Sequence, residues 1–316
     1  MNSVGFTLVT GASGFVGAAL LARLLRDGVA ARGAVRGTLL PPGCVHGPSL
    51  EDAADWSLLL RGCKTIVHAA ARVHVMRDTT TEPLAAYRAV NVAGTLSLAR
   101  QAAAAGVRRF VFLSSIKVNG EHTAPGRPFT AEDDPAPQDA YALSKAEAEA
   151  ALLELAADNG MEVVVIRPPL VYGPGVKANF LAMMHALQRG LPLPLGAMTC
   201  NRRSLVALDN LVDLIVCSIG HPAAANRVLL VKDGEDLSSA DLLRRTAAAL
   251  QVKARLLPVP SWALMAGATL LGKRPAMARL CGNLQVDDSA TRQLLGWQPP
   301  IDVDEGLRRT VAGLRR

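Results

Sequence analysis

Aromatic side chains make up only 4% of this 316-residue chain, and their scarcity argues against a nucleic-acid track. Basic residues outnumber acidic ones, giving a net charge of +7. Yet Arg23, Arg26, Arg32, Arg36, Arg108, Arg109, Arg202 and Arg203 are scattered, with few rings between them on which bases could stack. That distribution suits small anionic ligands. Cysteine is sparse and odd in number: Cys44, Cys63, Cys200, Cys217 and Cys281 show neither CxxC nor Cys/His ligand spacing. Neither a disulfide framework nor a metal centre is expected, and a reducing compartment fits. The opening MNSVGFTLVTG lacks a charged n-region and a small-residue cleavage site, so no secretory leader is expected and the cytoplasm is the expected location. The apolar run Ser261 to Gly272 is about a dozen residues, short of the 18 or so a membrane span needs.

Half of the positions are hydrophobic, enough for one sizeable domain or one with a smaller partner. FTLVT (Phe6 to Thr10) reads as an apolar strand, and GASGFVG after it as a glycine turn opening an amphipathic helix. Gly11, Gly14 and Gly17 recur every third residue: the first permits a tight turn, the second lets backbone N–H groups approach a diphosphate, and the third lets helix and strand pack closely. The segment Val29 to Gly37 reads as the second strand. Its end is where an acidic residue would accept from the ribose 2′-hydroxyl of NAD, and Arg36 stands there instead. An arginine suits a 2′-phosphate, so NADP(H) is favoured, with NAD(H) as the alternative.

The segment Cys63 to Val75 reads as a buried strand running into small residues, Ala69, Ala70 and Ala71, which would let a cofactor backbone lie close. His68 within it is assigned no chemistry. The helix expected from Pro83 to Ala105 carries a polar Asn91 on a largely apolar surface. Arg108 to Gly120 reads as a strand whose hydroxyls reach the carboxyl edge of the sheet, the edge where open α/β sheets bind ligands, which places Ser115 well for a substrate oxygen. Met161 to Gly175 reads as one more strand. Strand and helix in alternation predict an α/β fold, a doubly wound parallel sheet.

Between these last strands, the helical segment 139–160 sets Tyr141 and Lys145 four residues apart, on one face and about 5–6 Å apart at Cβ. A nearby ammonium favours a phenolate, so the tyrosine pKa is expected to fall from about 10 toward neutrality, where the phenol can take and return a proton.

TGASGFVG, Ser115, YALSK and RPPLVYGPG, in this order, resemble the extended short-chain dehydrogenase/reductases, the family of NAD-dependent nucleotide-sugar epimerases, dehydratases and reductases. The resemblance covers essentially the whole chain. It implies a Rossmann-type domain over 1–175, with later segments returning to it, and a smaller C-terminal α/β substrate-binding region over 176–316. It also implies a catalytic triad: Tyr141 as acid/base, Lys145 on the nicotinamide ribose, and Ser115 on the reacting oxygen. Ser13, Phe15, Val16, Asn91 and Pro168 join the glycines at the cofactor. The family's strand-three Gly-Asp-Leu is here Gly47, Pro48, Ser49 and Leu50, so the acid facing adenine is missing.

PLPLG, NRRSLVALDNLVDLI and LGWQPP are similar to a bacterial subgroup acting on UDP-activated amino and deoxy sugars in lipopolysaccharide pathways. That similarity implies a UDP-sugar substrate whose diphosphate is held by Asn179 and Arg203, with Asn210 supporting the loop and Tyr172 near the nicotinamide. The expected chemistry is hydride transfer at C4 of the hexose. No residue separates a UDP-4-keto-6-deoxy-hexosamine 4-reductase from a 4-epimerase that retains its NAD; Arg36 tips the expectation to the reductase. A 4,6-dehydratase is disfavoured because Ile116 and Lys117 occupy the positions of its hydroxyl or acidic pair. A non-catalytic dinucleotide sensor is the distant alternative, set aside because Ser115, Tyr141 and Lys145 are all present. The Ala- and Leu-rich helices 83–105 and 140–157 are apolar on more than one face, which predicts a homodimer.

Overall fold

The computed structural model describes residues 5–50, 54–73, 82–270, 272 and 274–314. Its centre is a parallel sheet of seven strands: β1 Phe6–Thr10, β2 Ala31–Val35, β3 Cys44–His46, β4 Cys63–His68, β5 Arg109–Leu113, β6 Glu162–Arg167 and, out of numerical step, Arg227–Leu230. The short strands Leu170–Tyr172 and Leu205–Ala207, β7 and β8, pair separately, which makes Arg227–Leu230 β9. The sheet order β3-β2-β1-β4-β5-β6-β9 reverses direction between β1 and β4. That reversal creates the crevice at the strands' carboxyl ends where doubly wound sheets take ligands.

Period-two alternation explains the layers. Leu8, Ile66 and Phe110 face the helices Thr95–Ala104 and Ala140–Asn159, while their neighbours Val9, Val67 and Val111 face the helices Phe15–Arg26 and Leu208–Gly220. A third cluster built on Phe180, Met184, Leu243 and Leu307 forms the core of the C-terminal region. The sheet nevertheless draws its last strand, β9, from beyond residue 175.

Three segments differ from their sequence reading. Met161 to Gly175 is two strands rather than one, because Pro168 and Pro169 have no N–H for the ladder; the chain breaks there, and Leu170–Tyr172 pairs with β8 instead of β9. Within the helix expected over 83–105, residues Ala89–Gly94 form a π-helical stretch, a feature that reorients side chains and gathers at functional sites. His74 and Val75, expected at the end of the fourth strand, lie outside the described residues, as does Leu271 of the apolar run. Arg109, grouped by sequence with the scattered basic residues, is 2% exposed. Its Nη1 donates to the carbonyls of Ser218, Ile219 and His221 at 2.7, 3.0 and 2.9 Å, satisfying the end of the Leu208–Gly220 helix. Among the described residues no helix is long and apolar enough to cross a membrane, and no cluster of ligating side chains could hold a metal.

Candidate active site

The site begins at the turn after β1. Gly11 has φ +67°, and a Cβ there would lie 2.7 Å from the Ala70 nitrogen; a Cβ on Gly17 would lie 2.2 Å from the Gly11 carbonyl oxygen. The small residues Ala69 and Ala70 thus let the glycine turn itself approach β4. Gly14 donates to the Gly11 carbonyl at 2.8 Å and begins the helix Phe15–Arg26, whose N-terminus has no side-chain cap. Ser13 and Gly14 are exposed, Phe15 and Val16 half-buried. Uncapped first-turn N–H groups at the positive end of a helix, fronted by glycines, fit a dinucleotide diphosphate. Arg36 is exposed directly after β2, at the same edge of the sheet.

Asn91 lies in the π-helical stretch and is 1% exposed. Its Oδ1 accepts from the Arg72 N–H at 2.8 Å, and its Nδ2 donates to the Arg72 carbonyl at 3.1 Å and to Ser144 Oγ at 3.0 Å. It therefore fastens the Ala69 to Arg72 loop to the residue beside Lys145. Ala71 sits half-buried in that loop. His68 is a satisfied core histidine, its ring nitrogens 2.8 Å from Thr10 Oγ1 and 3.0 Å from Thr95 Oγ1. Burial, reinforced by Lys145, lowers its pKa to about 3.

Tyr141 and Lys145 sit in the first turns of the helix Ala140–Asn159. Asp139 caps it, accepting from the Ala142 N–H at 2.7 Å, and Gly160 ends it at φ +75°. The Tyr141 ring meets Tyr87 edge-on at 6.1 Å, and Lys145, 1% exposed, places Nζ 3.9 Å from the centre of the Phe112 ring. Ser115, half-buried just past β5, opens the turn Ile116–Val118, its Oγ accepting from the Lys117 N–H at 3.3 Å. The Pro168 carbonyl accepts from the Ile116 N–H at 3.0 Å, holding the end of β6 against that turn.

The electrostatics differ from the expectation of an acidified phenol. Burial, with the Asp139 carboxylate and then Tyr87 adding to it, pushes the Tyr141 pKa above its ordinary value. The ammonium responds instead: burial lowers Lys145 to about 7, against an upward pull from Glu149. Desolvation outweighs the mutual attraction on which the sequence argument rested.

The residues expected at the substrate differ in exposure, and two of them meet on Asp233. Asn179 is exposed in the first turn of the helix Ala178–Gln188. Arg203 Nη1 donates to the carbonyls of Arg279 and Gly282, and its pKa is lowered by burial and then by Arg279. Tyr172, expected near the nicotinamide, is 0% exposed; its hydroxyl donates to Asp233 Oδ2 at 2.7 Å and its ring stacks on Phe180. Packing on every side leaves no part of its ring exposed. Asn210, also 0% exposed, exchanges hydrogen bonds with the Ile301 backbone at 2.9 and 3.1 Å and donates to Asp233 at 2.7 Å. It braces the chain at Ile301.

Sequence reasoning missed two groups at the site. Lys117 Nζ donates to Asp139 at 2.6 Å and Glu121 at 2.9 Å, fixing the start of the helix that carries Tyr141 and Lys145. Glu149, one turn past Lys145, pairs with Arg167; its i, i+4 spacing was the available signal.

Residues 7–231 match the NAD dependent epimerase/dehydratase family. The chain is 50% identical over 312 residues to a UDP-glucose 4-epimerase of Vibrio cholerae, covering 96% of this chain and 94% of that one. It is 33% identical over 339 residues to a UDP-glucose 4-epimerase of Mycolicibacterium smegmatis, covering 98% of each. Among solved structures, MoeE5 in complex with UDP-glucose and NAD shares the fold with a TM-score of 0.78 at 24% identity, over 99% of both chains. A UDP-glucose 4-epimerase of Thermotoga maritima, solved with UDP-glucose, does so at 0.75 and 21% identity, over 98% of both.

Proposed function

The chain belongs to the NAD dependent epimerase/dehydratase family, and we propose that within it the protein is a 4-epimerase of a UDP-hexose that keeps its nicotinamide cofactor through turnover. The observation that carries this reading is the 50% identity, over nearly the full length of both chains, to a UDP-glucose 4-epimerase. It reverses the order expected from Arg36 alone, which favoured a 4-ketoreductase and NADP(H). Arg36 is exposed, and an exposed arginine can serve either dinucleotide.

When bound, the nicotinamide supplies a reversible hydride acceptor at C4. The protein's own work is binding and proton transfer. The glycine turn and the helix start at Phe15 hold the diphosphate, with Ser13, Val16 and Pro168 beside the cofactor. Asn179 and Arg203 stand as the proposed holders of the substrate diphosphate. Tyr141 takes the C4 hydroxyl proton as hydride leaves the same carbon, Ser115 donates a hydrogen bond to that oxygen, and Lys145 offsets the phenolate charge. After the 4-keto sugar turns over, Tyr141 returns the proton to the oxygen of the inverted centre. Protons and hydride balance, so no reductant is consumed.

A homodimer is part of this reading. A groove of about 870 Å³ runs between the helices 83–104 and 140–159, lined at its centre by Leu84, Ala85, Ala89, Val92 and Leu96 and at its rim by the ion pair Arg88 and Glu147.

The direct test is interconversion of UDP-glucose and UDP-galactose without added NADPH. Changing Tyr141 to Phe is expected to lower kcat by about 10²–10⁴-fold with dinucleotide binding nearly intact. Unchanged turnover would remove Tyr141 from the chemistry.

A further inference from the structure

Directly beneath Tyr141 and Lys145 lies a buried ionic cluster that the proposed proton transfer does not use. Glu149 is 3% and Arg167 4% exposed. Arg167 donates from Nη2 and Nε to Glu149 Oε2 at 2.6 and 3.0 Å, and from Nη1 to Asn119 Oδ1 at 2.9 Å. The Ser114 hydroxyl donates to Glu149 Oε1, and Asn119 Nδ2 donates to the Thr130 carbonyl at 2.9 Å. Each member adjoins a residue of the site: Glu149 is one turn past Lys145, Ser114 precedes Ser115, Arg167 precedes Pro168, and Asn119 follows the turn that Ser115 opens. The cluster thus ties the catalytic helix to the carboxyl ends of β5 and β6.

Stability alone is a poor reason for such a pair, since apolar residues of the same volume commonly serve a core as well. We propose that the Glu149 and Arg167 pair positions Ser115 and Lys145 against each other, and that Glu149 is the counter-ion of Lys145. The i, i+4 spacing puts both side chains on one helix face. The other groups around the ammonium supply no anion. His68 on β4 is held neutral by burial, Phe112 on β5 offers its ring, and Tyr141 on the same helix is a phenol pushed toward its neutral form. Asp139, the remaining nearby carboxylate, is engaged by Lys117. Glu149 is held from the other side by Arg167 at the end of β6 and by Ser114 just past β5.

The inference rests on the 4-epimerase reading only for its kinetic readout, so the first measurement is the titration of Lys145 by nuclear magnetic resonance of lysine-labelled protein, assigned with Lys145→Met. Removing a buried negative charge eases proton loss from its neighbours. In Glu149→Gln the Lys145 titration is expected to move about one pH unit to the acid side, with the acid limb of kcat following and KM for the UDP-sugar within about twofold. Glu149→Asp should restore the parent profile. Arg167→Gln should move the titration the opposite way. Where Glu149→Gln fails to fold, the double variant Glu149→Gln/Arg167→Gln is read against Arg167→Gln alone, and the added loss of the carboxylate is expected to move the Lys145 titration to the acid side of that variant. A folded Glu149→Gln that titrates like the parent, or a double variant that titrates like Arg167→Gln, would overturn the proposal. Shifted titrations without any turnover of UDP-sugars would instead retain it and overturn the epimerase reading.

Discussion

At the scale of residues, the proposed mechanism makes Tyr141 and Lys145 work as a pair, the phenol accepting a proton beside the ammonium. Burial lifts the phenol and lowers Lys145 to about 7. The sign of the pH dependence follows from the proposed mechanism: below about 7 the two groups hold both protons, and above it one has left, so that the form with the remaining proton on Lys145 and a phenolate at Tyr141 can take the C4 hydroxyl proton. The account predicts that kcat falls about tenfold per pH unit below that point and levels above it, as a pH-rate profile at saturating substrate will read. A flat profile from pH 5 to 8 would contradict this. Which residues could be read from sequence depended on how local their partners are. Tyr141, Lys145 and the glycines stand in short spaced motifs whose order along the chain, together with the family resemblance it carries, located them, although their packing partners Tyr87, Phe112 and Ala70 are distant in sequence. Tyr172 and Asn210 take their positions from Asp233, 61 and 23 residues away, and Asn210 also from Ile301, 91 residues away. No local pattern encodes those contacts, and both residues are fully buried.

At the scale of elements, the glycine turn and its helix form one unit whose geometry tolerates no added atom. A Cβ on Gly17 meets the Gly11 carbonyl oxygen at 2.2 Å, well inside contact distance. Gly17→Ala is expected to cost about 1–3 kcal/mol through overpacking and to weaken dinucleotide binding, read by thermal melting with and without NAD. A variant that melts and binds like the parent would show that the turn relaxes freely. The central strands were legible as short continuous apolar runs, buried almost throughout, and the helix Ala140–Asn159 because Asp139 and Gly160 punctuate it. The short strand Cys44–His46 was not, because three residues of mixed burial carry no period. The break at Pro168 and Pro169 was written in the sequence, but β8 as the partner of Leu170–Tyr172 was not.

At the scale of the whole molecule, the sheet brings Ser115, Tyr141, Lys145 and the glycine turn to one edge, while the helices 83–104 and 140–159 leave an apolar groove on their outer side. If that groove is filled by a second copy, light scattering after size exclusion will give twice the chain mass at micromolar concentration, and Leu96→Glu will give the monomer. A monomeric parent would remove the dimer from the account. The central claim, reversible oxidation at C4 with the hydride retained, is tested most directly by isotope tracing. UDP-glucose deuterated at C4 is incubated with the purified protein in ordinary water, and the UDP-galactose formed is weighed by mass spectrometry. The account predicts product that keeps the deuterium, with no nicotinamide consumed. Product formed only with stoichiometric loss of NADPH, or deuterium washed out to solvent, would contradict it.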